Sequence, residues 1–282
     1  MDPSVSRACW RTCEPVHAMV YFAAPEIAEE YSALGFDLAT NRAAAYFPAR
    51  AAALGAVSTG VVQAVFYSFA PRAVSAGMGG AWQIATPDQL VQARLRVADR
   101  ALRRFCGELL DSPDVAEAAE LAREACTACT PEGRPLYAGG AALDWPESAH
   151  LQLFHAIGLL REFRGDGHVA VLLAEGISGL EAGLLHVAQG DAWTREPLRK
   201  SRGWTTEQWE AAAAGLRERG WLDADEQFTD EGRAVRQRIE DRTDVLALPP
   251  WEQLGEQRCS RLRALVRPLS KAVVAAGGLG IR

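Results

Sequence analysis

The sequence has no apolar run approaching the roughly 18 residues of a membrane span. Its longest candidate, Ala272 to Ile281, is Gly-rich and too short. Met1 to Pro15 carries Asp2 and lacks the apolar core of a secretory signal. These absences predict a soluble, cytoplasmic protein without membrane contact. An excess of cations is missing too: 30 Lys and Arg stand against 36 Asp and Glu, a formal net charge of −6. Phosphate backbones and anionic membranes therefore meet no general attraction. There is no P-loop, dinucleotide fingerprint, G-x-S-x-G elbow or H-E-x-x-H, which removes the commonest nucleotide, hydrolase and zinc-protease chemistries. Any catalysis is expected to need no cofactor. The six cysteines are too scattered for the disulfide framework of a secreted mini-domain. Cys9/Cys13 and Cys126/Cys129 have the spacing of paired thiolates on a helix face, but small buried cysteines in Ala-rich helices are usually packing residues.

What is present is enough chain, 282 residues at 49% hydrophobic, for one large or two ordinary domains. Apolar residues at steps of three and four predict helices over 14–33, 41–53, 57–69, 87–110 and 114–129. The fourth of these opens on the N-cap Thr86 with Pro87 in its first turn. Residues 130–148 are rich in Pro and Gly and read as a connection. Beyond it, 149–164 is helical, and Gly165-Asp166-Gly167 reads as a stop followed by an N-cap for a second helix near His168, forming a hairpin. A short helix, the turn Arg202-Gly203-Trp204, a helix capped by Thr205, an acidic turn and a last helix from Thr229 follow in the order of a winged helix-turn-helix. A helical tail begins at Trp251, with Pro268 as an expected kink. The expectation is an all-α fold: a helical, aromatic-rich domain at 1–130, the connection 131–148, a helical hairpin at 149–191, a winged helix with a short β-hairpin wing at 192–245, and the tail 246–282.

The stretch LRERGWLDADEQFTDEGRAVRQ, residues 216–237, resembles the recognition-helix end, wing and last helix of MarR-type regulators. The segments EPVHAMVYFAAPE, YFPARAAALGAV, LLREFRGDGHVA and EDRTDVLA resemble a family of actinobacterial helical proteins. The resemblance implies an architecture and no mechanism. A DNA reader needs donors toward base edges and cations toward phosphates. Here Trp209, Ala212/Ala213 and Leu216 mark the buried face of the recognition helix, which turns Glu207, Gln208, Glu210 or Ala211, Ala214 and Glu218 outward. The wing, Leu222 to Glu231, has five acids and no cation, and residues 196–244 hold nine Lys and Arg against twelve Asp and Glu. DNA binding is therefore disfavoured. The one basic cluster is Arg195, Arg199, Lys200 and Arg202.

Candidate chemistry concentrates between residues 150 and 168. His168 with Asp166 at a helix start has the composition of an acid/base pair, and Arg161 or Arg164 that of an anion clamp. The plain alternative makes Asp166 an N-cap and His168 a surface side chain. His155, Tyr21, Tyr67 and Trp82 are candidate ligand contacts, since aromatics facing alanines build either a tight core or an apolar pocket. Glu14 and His17 lie one turn apart, yet the second such pair that a di-iron bundle needs is missing. Glu240 and Asp244 share a helix face. The leading expectation is a small-molecule-binding helical protein, leaning to a cofactor-independent enzyme of specialised metabolism, with the winged helix as scaffold or homodimer contact. The rivals are a MarR-like, ligand-responsive transcription regulator and an interaction module without a pocket.

Overall fold

A computed structural model describes residues 1–22, 25–41, 44–190 and 193–279. Helix α1 (Ser4–Ala18) starts ten residues before the expected position, because the three-and-four spacing of buried side chains extends back through Cys13, Cys9 and Ser6. It tightens into a 3-10 turn at Met19–Tyr21, and α2 (Pro25–Ala33) starts on a proline, so the helix expected over 14–33 is divided. Ala23 and Ala24, in the middle of that expected helix, lie outside the described residues. α3 (Tyr46–Ala51) and α4 (Thr59–Val65) are shorter than expected, and Arg42 and Ala43 also fall outside the description. Two short helices that periodicity did not show follow, α5 (Pro71–Met78) and α6 (Ala81–Ile84). α7 (Pro87–Cys106) opens on the Thr86/Gln89 capping box, and α8 (Pro113–Cys126) follows.

The connection read over 131–148 contains a helix, α9 (Pro135–Ala141). The break expected at Gly165–Gly167 is absent: α10 runs unbroken from Ala149 to Ala174, and the chain bends by 103° only before α11 (Gly179–Ala188). The glycines of α10 serve as points of close approach. A Cβ at Gly167 would lie 2.7 Å from Arg134 Nη1, where the guanidinium rests over the Phe163 ring and donates to the Phe163 carbonyl. Glycine costs a helix roughly 1 kcal/mol relative to alanine, which packing along 26 residues can offset.

α12 (Arg195–Arg202), α13 (Thr206–Glu218) and α14 (Asp230–Leu246) complete the helix-turn-helix region. The tail forms α15 (Pro249–Leu254) and α16 (Glu256–Ala275), the latter helical through Pro268. All-α is correct, but the β-hairpin wing is not formed. No strand occurs among the described residues, and a single antiparallel bridge, Leu222 to Phe228, stands in its place. Asp223 ties this segment into a tight turn by accepting from the amides of Asp225 and Gln227, leaving no length for a ladder.

α10 packs against α8, α14, α9, α1 and α7 and is the axis of the molecule. One core joins α1, the C-terminal half of α7, α8, α10 and α16. A second gathers α2 to α6 against the start of α7, and a third closes the end of α10 with α11 to α14. α1 and α16 lie together although they come from opposite ends of the chain. No single described helix is long and apolar enough to cross a membrane.

Candidate functional site

α7 carries its buried stripe on Leu90, Ala93, Val97, Ala98 and Ala101, and Arg94 lies beside it. α3 holds Arg50 among Phe47, Ala49 and Ala51 in the same way. These two arginines meet His17 of α1 and Glu162 of α10 at the end of a cavity of about 410 Å³. That size lies within the roughly 300–1,000 Å³ range of ligand sites. Leu95 of α7, Leu136 and Gly140 of α9, Leu143, and Phe154 and Leu159 of α10 form its walls. Exposed Asp88, Gln92 and Asp144 stand at the mouth.

His17 is fully buried. Its ring stacks on Phe154 at 4.6 Å and 12°, and packs so closely on α10 that a Cβ at Gly158 would be 2.6 Å from its Cε1. Burial first, then Arg94 and Arg161, hold His17 well below the ordinary histidine pKa, so the ring is neutral. Its partners set the tautomer. Nδ1 donates to the Phe154 carbonyl (3.3 Å), while Nε2 accepts from Arg94 Nη2 (2.9 Å) and the Tyr21 hydroxyl (2.8 Å).

Around this histidine, charge is unevenly paired. Arg161 binds both oxygens of Glu14 (3.1 and 3.0 Å) and reaches Glu162 (2.8 Å), which also pairs with Arg50 (3.1 Å). Burial disfavours the Glu162 carboxylate, but Arg161, Arg50 and Arg94 outweigh it and bring its pKa below the ordinary value. Arg50 also donates to the Tyr46 hydroxyl (3.0 Å) and lies over the Phe66 ring. Burial opposes ionisation of Tyr46, yet Arg50 and Arg202 beside it draw its pKa down. Four guanidiniums, Arg50, Arg94, Arg161 and Arg202, thus face two carboxylates. Arg94 pairs with neither: Nη2 serves His17 and Tyr21 (3.2 Å), and Nε is buried with no acceptor. Nearby His155 has an unpartnered Nε2, and burial together with Arg94 lowers its pKa to about 4.

Among the residues singled out from sequence, Glu14, His17, Tyr21, His155 and Arg161 belong to this array, whereas Asp166, His168, Arg164, Tyr67 and Trp82 do not. Asp166 and His168 form no pair. The Asp166 carboxylate accepts from the Tyr137 amide (3.0 Å) at the start of α9, so it is a cap, but for a helix other than the expected one. Burial raises its pKa to about 6. His168 bonds Thr243 Oγ1 (2.9 Å) between α10 and α14, where burial lowers its pKa to about 4. Arg164 pairs with Asp244 (2.8 Å), and Glu240 and Asp244 are engaged by Arg7, Arg164 and Arg236, which leaves them no free acid/base role. Tyr67 donates to the Ile177 carbonyl and Trp82 to that of Val57, both away from the cavity. Tyr46, Phe47, Phe66 and Phe69 interlock edge to face as core. Glu14 is spent on Arg161 and Trp10. Among the described residues, no three His, Cys, Asp or Glu side chains converge as a metal site. Arg50 and Arg94 are the residues that sequence reading missed; their signal is an arginine within an apolar helical period.

The basic cluster of the helix-turn-helix is also spent internally. Arg195 pairs with Glu210 and Glu226, Arg199 and Lys200 with Glu196, and Arg202 lies over Phe69. Trp209, Ala213 and Leu216 are fully buried, while Glu207, Gln208, Glu210, Ala211 and Glu218 face solvent, as the spacing predicted, but Ala212, expected on the buried face, and Ala214, expected outward, are both half-buried. The turn itself is docked. The Gly203 carbonyl accepts from Arg72 of α5, Trp204 Nε1 donates to the Ser68 carbonyl (3.0 Å), and a Cβ at Gly203 would meet Ala73 at 2.6 Å.

The model of a helix-turn-helix family matches residues 6–280, nearly the whole chain. No curated protein and no solved structure matches it.

Proposed function

We propose that this chain, which belongs to the helix-turn-helix family, acts by binding a small molecule in the cavity between α7, α9 and α10, with its helix-turn-helix unit held against the body of the molecule. The observation that carries this reading is the cavity's inner end, where Arg94 lines the wall and has no carboxylate partner among the described residues. Leaving such a group unpaired is costly, and polar groups unsatisfied by the protein are a mark of functional sites. The acidic outer face of α13 and the docked turn argue against DNA as the main ligand. The test is calorimetric titration of the purified chain with a panel of small aromatic and aliphatic compounds, repeated on a Gly140→Trp variant that fills the cavity. Binding in the wild type that the variant abolishes is the expected result. Binding that the filled variant retains would refute the site.

A second reading, a ligand-responsive regulator, is favoured by one feature. Arg50 at the cavity bonds Tyr46, Tyr46 faces Arg202, and the Arg202 carbonyl accepts from Ala70 (2.9 Å) beside the docked turn. A ligand that draws Arg50 inward would loosen that turn. Salt-dependent gel shifts on the gene's own upstream DNA decide here. Specific binding at nanomolar concentration and physiological salt, altered by ligand, would make this the better reading.

A further inference from the structure

We infer that the ligand of the cavity is an organic monoanion with a flat apolar body, its carboxylate or equivalent oxygen group held by Arg94 and Arg50. The inference rests on the small-molecule reading above and names the ligand's chemistry. The inner end of the cavity offers one guanidinium, Arg94, with no carboxylate partner among the described residues, beside Arg50, whose ion pair is with Glu162. Glu14 and Glu162 are already shared among Arg161 and Arg50. A ligand oxygen bearing negative charge is the group that completes this set, and guanidinium binds such groups through paired N–H donors. The neutral His17 adds no charge and accepts rather than donates at Nε2, so it fixes Arg94 without competing for the anion.

The rest of the cavity limits the body. Leu95, Leu136, Leu143 and Leu159 offer no polar atoms from their side chains, and Phe154, stacked on His17, presents an aromatic wall. At the mouth, Asp88 and Asp144 are exposed and carry no ion pair among the described residues. Carboxylates there repel a second negative charge, which argues against nucleotides and other polyanions. One anionic end inside and a neutral or cationic end outside is the polarity that this arrangement accepts.

The full-length protein is titrated by calorimetry with 2-naphthoate, its uncharged analogue 2-naphthamide, and 2,6-naphthalenedicarboxylate. The acid is expected to bind the wild type at least tenfold more tightly than the amide, and the dianion more weakly than the acid. Arg94→Gln should weaken the acid by about 10- to 100-fold, the range of a charge-assisted hydrogen bond, and the amide by less than threefold. Asp144→Asn, an exposed change that leaves folding intact, should tighten the dianion severalfold and leave the acid within twofold. If the amide binds as well as the acid, or if Arg94→Gln weakens both equally, the anionic assignment is overturned while the cavity reading stands. If none of the three binds, the assignment of a monoanion with a flat apolar body is overturned, and the cavity reading is decided by the broader panel and the Gly140→Trp variant. Should Arg94→Gln fail to fold, by circular dichroism, the acid–amide ratio in the wild type and the Asp144→Asn result still decide.

Discussion

Replacing Gly158 by alanine should destabilise the protein, although alanine is the better helix former. The new methyl would sit 2.6 Å from His17 Cε1 and 3.0 Å from Nδ1. His17 has no room to yield, since it is fully buried, stacked on Phe154 and bonded at both nitrogens. Overpacking of this kind costs about 1–3 kcal/mol, and displacing the ring strains bonds that each contribute about 1 kcal/mol. Against this stands a helix-propensity gain of about 1 kcal/mol. The net expectation is a loss of about 1–3 kcal/mol, which at ~2–4 °C per kcal/mol for a large domain lowers the melting temperature by about 2–12 °C. Gly165→Ala in the same helix is the internal control. Its methyl would meet only the end of the Glu162 side chain, at 3.6 Å, so it should be neutral or stabilising by up to ~1 kcal/mol. Differential scanning calorimetry of the two variants separates propensity from packing. If Gly158→Ala melts at or above Gly165→Ala, the close approach of His17 to α10 is wrong, and the geometry of the cavity's inner end with it.

Stability should fall as pH drops from about 6.5 toward 4, because His155 and His168, with folded pKa values lowered to about 4 by burial, must stay neutral while the unfolded chain takes up protons. Each contributes about 3 kcal/mol across that window, and His17 acts in the same direction. Asp166 opposes them, since its raised pKa of about 6 favours the folded state at low pH and that contribution is lost as pH rises through 6. Urea midpoints that rise from pH 6.5 to 4.5 would contradict the balance. Asp166→Ala should cost about 1–3 kcal/mol by leaving the Tyr137 amide without its acceptor, and Asp166→Asn should recover part of it; an unchanged urea midpoint in the alanine variant would refute its capping role. Thiols should react slowly in the native state. Five of the six cysteines are buried, and burial pushes Cys129, the half-buried sixth, up to about 12. Two or more fast-reacting thiols with Ellman's reagent at pH 8 would refute that packing.

Local spacing determined a good part of this molecule. The capping boxes at Thr86 and Thr205, the buried face of α13 on Trp209, Ala213 and Leu216, and the acidity of its outer face are consequences of a 3.6-residue period and of charges that a reader can place on a helix. Long-range contact decided the rest. Glycine in isolation reads as a stop, so Gly165 to Gly167 suggested a hairpin, whereas Arg134 and His17 use Gly167 and Gly158 as gaps through which to approach an unbroken helix. The same blindness hid the site. Asp166 and His168 are close in sequence but bind α9 and α14 separately, while His17, Arg50, Arg94 and Glu162, spread over 146 positions, meet around one cavity. An arginine's function depends on which carboxylates reach it, and that pairing exists only once helices from distant parts of the chain have packed together.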